Sequence, residues 1–189
     1  MAEQNILSFP HKEAWEKWIK QHQADSNGVW LKLIKKSVDE KALTYAEALD
    51  VALCYGWIDG QKKTHDESAW LQKFTPRRKG SLWSKKNREH VERLIKEGRM
   101  QAAGLKEIEA AKQDGRWEKA YDAASSATMP EDFLQALAKD KKASAFFATL
   151  NKANLYAITW RLQTAKKPET RQKRMESILA MLHEGKKFH

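Results

Sequence analysis

The sequence predicts an α+β fold, with a small sheet and helices in the N-terminal half and an all-helical C-terminal half. Runs of β-branched and aromatic residues that suit strands occur only before residue 76. From Ser84 onward, apolar residues recur at helical spacing, and residues typical of helix N-caps precede them. We therefore predict an α+β domain over residues 1–122 and a helical C-terminal domain or extension over residues 123–189, and leave open whether they pack as a single unit.

Two elements are predicted before residue 40. Trp15, Trp18 and Ile19 recur at helical spacing, which predicts an amphipathic helix over about 10–23. After a turn-rich segment, residues 29–34 read VWLKLI and place apolar side chains at alternate positions. This alternation, together with β-branched and aromatic content, predicts a strand.

A capping box marks the next helix. Thr44 and Glu47 stand three residues apart, so each side chain can bond the backbone N–H of the other, and Gly56 is placed to end the helix. Residues 57–63 and 68–75 are then two short segments with aromatic content. We predict that they pair as a hairpin.

The second half is predicted to contain helices alone. Ser84 can cap a helix that closes at Gly98, and Thr128 with Glu131 forms a second capping box. The last helix shows apolar residues at i, i+3, i+4 and i+7. The remaining predicted helices cover about 105–113, 142–150, 152–165 and Pro168 to Gly185.

The positive charge is concentrated in two blocks. Of the net charge of +10, residues 60–99 carry 12 Lys and Arg against 5 Asp and Glu, and residues 127–189 carry 12 against 6. Near-neutral sequence separates the blocks, so each creates a local positive field. This distribution favours an anionic partner, although solvated, Lys-rich helices are the alternative for the second block.

Several common functional classes are excluded or disfavoured. The single Cys54 excludes an intramolecular disulfide and a cysteine-based zinc finger, and a buried apolar role suits it best. No P-loop, dinucleotide fingerprint, HExxH or GxSxG motif occurs, so we expect no cofactor, no metal and no assigned catalytic residue. The N-terminus lacks a charged signal-peptide start, and no apolar run approaches the length of a membrane span, so we expect a cytoplasmic protein without a transmembrane segment.

The stretch from Lys73 to Arg88 is the most informative for function. It contains seven basic residues and no acidic one, with Phe74 and Trp83 among them. Basic side chains neutralise phosphate or carboxylate, aromatic rings stack on bases, and the start of the predicted helix at Ser84 offers unpaired N–H groups to an anion. The candidate ligand-binding residues are Asp59, Arg77, Arg78, Trp83, Ser84, Lys85, Asn87, Arg171 and Arg174.

These candidates have structural alternatives. The rings of this region suit core packing as well as ligand stacking. Asp59 suits a turn before Gly60 or an ion pair that fixes Arg77 or Arg78. Arg171 and Arg174 share a helix face and either complete the basic surface or are simply solvated.

Several short and uncommon sequence motifs resemble those of the bacterial YdeI/OmpD-associated family, also labelled bacteriocin-protection proteins. They span roughly residues 30–185 and are Cys54 to Gln61, Phe74 to Arg77, Trp83-Ser84 with Asn87, Gly98 to Met100, Gly115 to Trp117, and Glu169 to Arg171 with Arg174. The resemblance implies resistance to cationic antimicrobial peptides and association with an outer-membrane porin. A charge of +10 opposes direct capture of such peptides, so an indirect intracellular role fits better.

Three functional hypotheses follow. The first is a non-enzymatic module that binds an anionic partner, either a nucleic acid, a phosphorylated metabolite or an acidic protein, through residues 73–88. Exchange of Arg77 and Arg78 for Glu would then abolish binding and leave the melting temperature nearly unchanged. The second is a small enzyme acting on an anionic substrate with Asp59 as acid or base, and the third is a protein-interaction module with exposed Trp side chains.

Overall fold

The computed structural model describes residues 6–189 and confirms the α+β class. Within these residues the named strands all lie in the N-terminal half. The strands are β1 (Ile6–Ser8), β2 (Val29–Ile34), β3 (Trp57–Thr64) and β4 (Ala69–Pro76). The helices are α1 (Lys12–His22), α2 (Tyr45–Cys54), α3 (Lys85–Lys96), α4 (Ala102–Gln113), α5 (Glu131–Leu137), α6 (Lys141–Phe147), α7 (Lys152–Gln163) and α8 (Pro168–His183).

The described residues form two compact units. The first comprises residues 6–83 and 87–120, and the second comprises residues 84–86 and 121–189. None of the helices in residues 6–189 is both long enough and apolar enough to cross a membrane.

The first unit contains a four-stranded sheet in the order β1-β2-β4-β3. Both β2 and β3 run antiparallel to β4, so the predicted strand and the predicted hairpin are confirmed. A register shift between Asp59 and Lys62 marks a bulge in β3. β1 pairs parallel to β2 and was not predicted, because three residues are too few to show a periodic pattern.

The core of the first unit is rich in aromatic residues. Trp15 of α1 is fully buried, and its indole N–H donates to the Ala48 carbonyl of α2 at 3.1 Å. Its ring lies 5.8 Å from that of Phe74 in β4, measured between centroids. Ile19 is fully buried as well, so the apolar face predicted for α1 is the face that packs inward.

The capping box of α2 is confirmed. Thr44 Oγ1 accepts a hydrogen bond from the Glu47 N–H at 3.3 Å, and Glu47 Oε2 accepts one from the Thr44 N–H at 3.0 Å. The helix ends at Cys54, followed by Gly56 at a φ of +75°. Gly104 of α4 packs against this end so closely that a Cβ there would collide with the Cys54 carbonyl oxygen. Glycine is therefore required for this approach.

The second unit has its own core. Phe133 of α5, Ile158 of α7 and Leu182 of α8 are fully buried within it. The prediction of a capping box at Thr128 is wrong. The N-cap residue of α5 is Pro130, whose side chain has no oxygen to accept a backbone N–H.

Candidate functional site

The basic stretch at residues 73–88 carries two aromatic rings, and both are buried. Phe74 is fully buried, and Trp83 is 2% exposed. The Trp83 ring contacts Trp117 edge-on, with 5.0 Å between centroids. These two rings are therefore core residues, as the packing alternative held, and neither presents a free face on which a base could stack.

Arg77 is buried together with Trp83. Its guanidinium carbon lies 3.5 Å from the centroid of the Trp83 ring, and its Nη1 donates to the Leu82 carbonyl at 3.3 Å. Its backbone N–H donates to the Gly56 carbonyl at 3.0 Å. A desolvated cation on an aromatic face is a stabilising contact, so Arg77 holds the segment after β4 against the core.

Arg77 also lines a cavity of about 450 Å³ in the first unit. Lys106 and Glu107 line the same cavity, so cations and a carboxylate face one space. This mixture of charges does not select for anions.

The turn after Arg77 leaves two cations exposed. The Arg78 N–H donates to Ser81 Oγ at 3.1 Å, and the Ser81 N–H donates to the Arg78 carbonyl at 2.9 Å. These bonds fix the backbone, while the side chains of Arg78 and Lys79 remain exposed. A large anion can therefore reach the candidate Arg78 and its neighbour Lys79.

Asp59 lies within β3 and is bonded to a tyrosine. The Tyr45 hydroxyl donates to Asp59 Oδ2 at 2.9 Å. Burial, and then the nearby Asp59 charge, raise the pKa of Tyr45 well above its usual range, so the phenol remains the donor. Asp59 does not line the cavity beside Arg77. The geometry therefore gives no support to Asp59 as a catalytic acid or base.

Contacts within the second unit occupy the residues just before and at the start of α3. Ser84 is buried and forms an isolated bridge with Tyr121, whose carbonyl accepts the Lys85 N–H at 2.8 Å. Lys85 Nζ lies 2.6 Å from Asp122 Oδ1, and this hydrogen bond holds the pKa of Asp122 below its ordinary value. Asn87 is buried in the first unit at 7% exposure. An anion at this position would have to displace the contacts of Lys85.

Arg171 is neutralised by a carboxylate. Its two terminal nitrogens donate to Asp132 at 2.5 and 2.8 Å, the two-bond geometry that suits guanidinium and carboxylate. The same hydrogen bonding lowers the pKa of Asp132. Arg171 therefore has a structural partner that a ligand would have to replace.

Arg174 lines a cavity of about 420 Å³ formed by residues of α7, α8 and the C-terminal segment. Arg161 and Lys173 line the same cavity, and Thr170 and Ser177 add hydroxyl groups. No Asp or Glu is among its lining residues. We call these residues the basic cavity.

The two arginines of the basic cavity are held in place. Arg174 Nη1 donates to the Arg161 carbonyl at 2.7 Å. The Arg161 guanidinium carbon lies 3.9 Å from the centroid of the Phe188 ring. Lys173 is exposed. Fixed side chains lose little entropy when a ligand arrives, so the two arginines are preorganised.

Sequence reasoning found Arg174 and missed its two neighbours. Lys173 is adjacent to Arg174 in the sequence, so the basic spacing of α8 was a sufficient signal for it. Arg161 lies on α7, 13 residues earlier, and no local pattern links one helix to the other.

Comparison with known families divides the chain into two regions. Residues 7–107, just over half of the chain, match a family described as a domain of unknown function (DUF8412). The chain belongs to this family. Residues 126–185 match the family described as bacteriocin-protection, YdeI or OmpD-associated, which confirms the resemblance over those residues. The comparisons with curated proteins and with solved structures gave no significant match.

The two family regions separate the candidate residues. Arg161, Lys173 and Arg174 lie in the YdeI/OmpD-associated region. The uncommon sequence motif from Tyr55 to Gly60 lies in the DUF8412 region. The basic cavity therefore draws its cations from the region whose family description names a biological role.

Proposed function

We propose that the chain is a non-enzymatic binding module for an anionic partner and that the basic cavity holds the partner's charged group. Arg161, Lys173 and Arg174 supply three cations at this position. The family description of residues 126–185 adds bacteriocin protection as the biological context. Because the chain carries a charge of +10, the protective route in this proposal is indirect, without capture of a cationic peptide.

The composition of the basic cavity is the observation that supports this proposal. Arg can donate two parallel hydrogen bonds to a carboxylate or phosphate, and Lys adds a mobile charge. Trp160, also a lining residue, is 36% exposed and offers an apolar surface beside the cations. An anionic group attached to an apolar or flat body satisfies both features.

The exposed turn of the first unit extends the proposal. Arg78 and Lys79 are exposed cations of the 73–88 stretch, and we propose that they attract the same class of partner. Exposed cations of this kind raise the rate of encounter more than they raise affinity. Their contribution should therefore be smaller than that of the basic cavity and more sensitive to salt.

Fluorescence anisotropy with two labelled probes, a short oligoglutamate and a single-stranded DNA oligonucleotide, tests the proposal. We expect one or both to bind, with affinity falling between about 50 and 200 mM salt. We expect Lys173→Glu to weaken binding about tenfold, because it reverses a charge at the cavity. Lys139→Glu is the matched control, since Lys139 is an exposed lysine of the same unit that does not line this cavity.

Two results would overturn the proposal. One is the absence of binding to either probe at low salt. The other is an equal loss of affinity in the Lys173 and Lys139 variants, which would mean that the probes respond to net charge instead of to the basic cavity.

A further inference from the structure

The basic cavity adjoins two further cavities beside α7. A cavity of about 750 Å³ shares Trp160 and Arg161 with it. A third cavity of about 600 Å³ shares Lys152 and Tyr156 with the second. All three lie within the second unit, and together we call them the α7 groove.

The α7 groove follows the helix axis. Lys152, Tyr156 and Trp160 are spaced four residues apart, so their side chains form one stripe on α7. At a rise of 1.5 Å per residue this stripe is roughly 12 Å long, or about two turns of helix. The groove is therefore long enough for a short peptide segment.

Away from the basic cavity, the groove is largely apolar. Leu134 is 41% exposed, and Met129 and Phe147 line the same cavity as Leu134. Large apolar side chains exposed together in one concave surface are typical of a protein-binding site.

The formally charged side chains that line the groove are all cationic. No Asp or Glu lines any of its three cavities. The four cations are Lys152, Arg161, Lys173 and Arg174. An occupant that matches the groove therefore brings negative charge to the basic cavity and apolar side chains to the rest of the groove.

Three carboxylates of this unit are engaged elsewhere. They pair as Asp122 with Lys85, Asp132 with Arg171, and Asp140 with His183. Hydrogen bonds lower the pKa of all three Asp side chains, the bond from Lys85 being the largest cause for Asp122 and that from Arg171 for Asp132. For Asp140 the backbone N–H of Ala143 is the largest cause, and His183 follows. Each of these carboxylates therefore has a partner other than the four groove cations.

We infer that the α7 groove binds an acidic amphipathic segment of a partner protein. Apolar side chains of the segment lie beside Tyr156 and Trp160, and its carboxylates reach Arg161, Lys173 and Arg174. Anchors at i, i+3 or i+4, and i+7 on a helical segment match a groove of this length. This inference rests on the proposed function, because it names the class of the anionic partner.

A nucleic acid fits the groove less well than an acidic peptide. A strand carries a charge on every phosphate, whereas three of the four groove cations lie at the basic cavity and the cavity at the opposite end is lined by Met129, Leu134 and Phe147. The rings in the middle are also engaged from one side. The Tyr156 hydroxyl donates to the Asp122 carbonyl at 3.2 Å, and the Trp160 ring contacts Tyr121 edge-on at 6.2 Å.

The test compares two labelled peptides on the full chain. One has Leu and Phe at amphipathic helical spacing with Glu at the other positions, and the second has the same composition in an order that destroys the spacing. We expect the first peptide to bind about tenfold more tightly than the second, because only it can present its anchors on one face. Oligoglutamate and single-stranded DNA serve as anionic probes without anchors.

Variants then locate the bound peptide. We expect Trp160→Ala to weaken binding about thirtyfold, as a central aromatic anchor does, and Lys152→Glu to weaken it about tenfold. Leu134→Ser is a second apolar variant in case the Trp160 change disturbs folding. Leu105→Ala and Lys139→Glu are the controls, because both positions are exposed and neither lines the groove.

The outcomes separate this inference from the proposed function. Equal binding of the two peptides, or no effect of the Trp160 and Leu134 variants, overturns the groove assignment and leaves the anionic partner in place. DNA binding that Lys173→Glu weakens, with no binding of the amphipathic peptide, also overturns the inference and assigns the site to nucleic acid. Absence of binding to every anionic probe overturns both.

Discussion

Arg77 and Arg78 are neighbours with different surroundings. Arg77 is 7% exposed and lies on Trp83, whereas Arg78 is exposed on a turn. We expect Arg77→Glu to lower the free energy of unfolding by about 3–5 kcal/mol, because it places an uncompensated carboxylate in a buried aromatic site. We expect Arg78→Glu to change it by less than about 0.5 kcal/mol. Urea unfolding of the two single variants measures the difference.

Equal unfolding free energies for the two variants would contradict the structural role of Arg77. The contrast also decides how binding is tested at this position. Exchange of Arg77 would disturb the local fold of the turn, so the Arg77 and Arg78 double variant cannot separate loss of charge from loss of structure. A variant in which both Arg78 and Lys79 are replaced by Glu alters exposed charge alone and is the cleaner probe.

The difference between these arginines could not be predicted from the sequence. Seven basic residues between Lys73 and Arg88 look alike as charges, and burial of one of them depends on where Trp83 packs. Trp83 in turn packs on Trp117, more than thirty residues later in the chain. Sequence spacing carries information about neighbours on one element and little about contacts of this range.

At the scale of elements, two similar sequence signals have different outcomes. Thr44 caps α2 through a complete capping box. Thr128 is exposed, and Pro130 is the N-cap residue of α5. We expect Thr44→Ala to lower the free energy of unfolding by about 1 kcal/mol, the usual cost of a lost N-cap. We expect Thr128→Ala to lower it by less than about 0.5 kcal/mol.

Chemical unfolding of both Thr variants at one pH measures this contrast. Thr44→Ser is the conservative control, because it keeps the hydroxyl that accepts the Glu47 N–H. A loss of stability in the Thr128 variant as large as that in the Thr44 variant would show that the Thr128 side chain supports α5 by some route other than a cap.

Elements with strong local signals were predicted well. The apolar alternation of β2, the hairpin of β3 with β4 and the stripe of α8 are confirmed, since each depends on residues close in sequence. α4 begins at Ala102, three residues before its predicted start, because Gln101 at its N-cap makes no side-chain bond that the sequence could reveal. The pairing of β1 with β2 was missed because the three residues of β1 are too few to show a strand pattern.

At the scale of the whole molecule, the two basic blocks of the sequence have different structural uses. In the first block, Arg77 is buried against the Trp83 ring, and Arg78 and Lys79 remain exposed. In the second block, Arg171 forms an ion pair with Asp132, and Arg174 lines the basic cavity together with Lys173 and Arg161. Net charge predicts an anionic partner, whereas the packing of α7 on α8 determines which cations line the proposed site.

The two units have separate cores, which predicts separate responses to a core mutation. Phe133 is fully buried in the second unit and packs on Phe147 at 6.0 Å between ring centroids. We expect Phe133→Ala to destabilise this unit by about 3–5 kcal/mol through lost contacts and a residual cavity. The core around Trp15 and Leu31 contains none of the Phe133 cluster, so the sheet should keep its stability.

Amide hydrogen exchange of the Phe133 variant, resolved by residue, tests this prediction. Exchange should accelerate in α5, α7 and α8 and remain slow in β2 and β4, because local opening follows the loss of local core contacts. Leu31→Ala is the reciprocal variant and should accelerate exchange in the sheet first. Uniform acceleration in both units for either variant would mean that residues 6–189 open as one cooperative unit, and would contradict the two separate cores as units of stability.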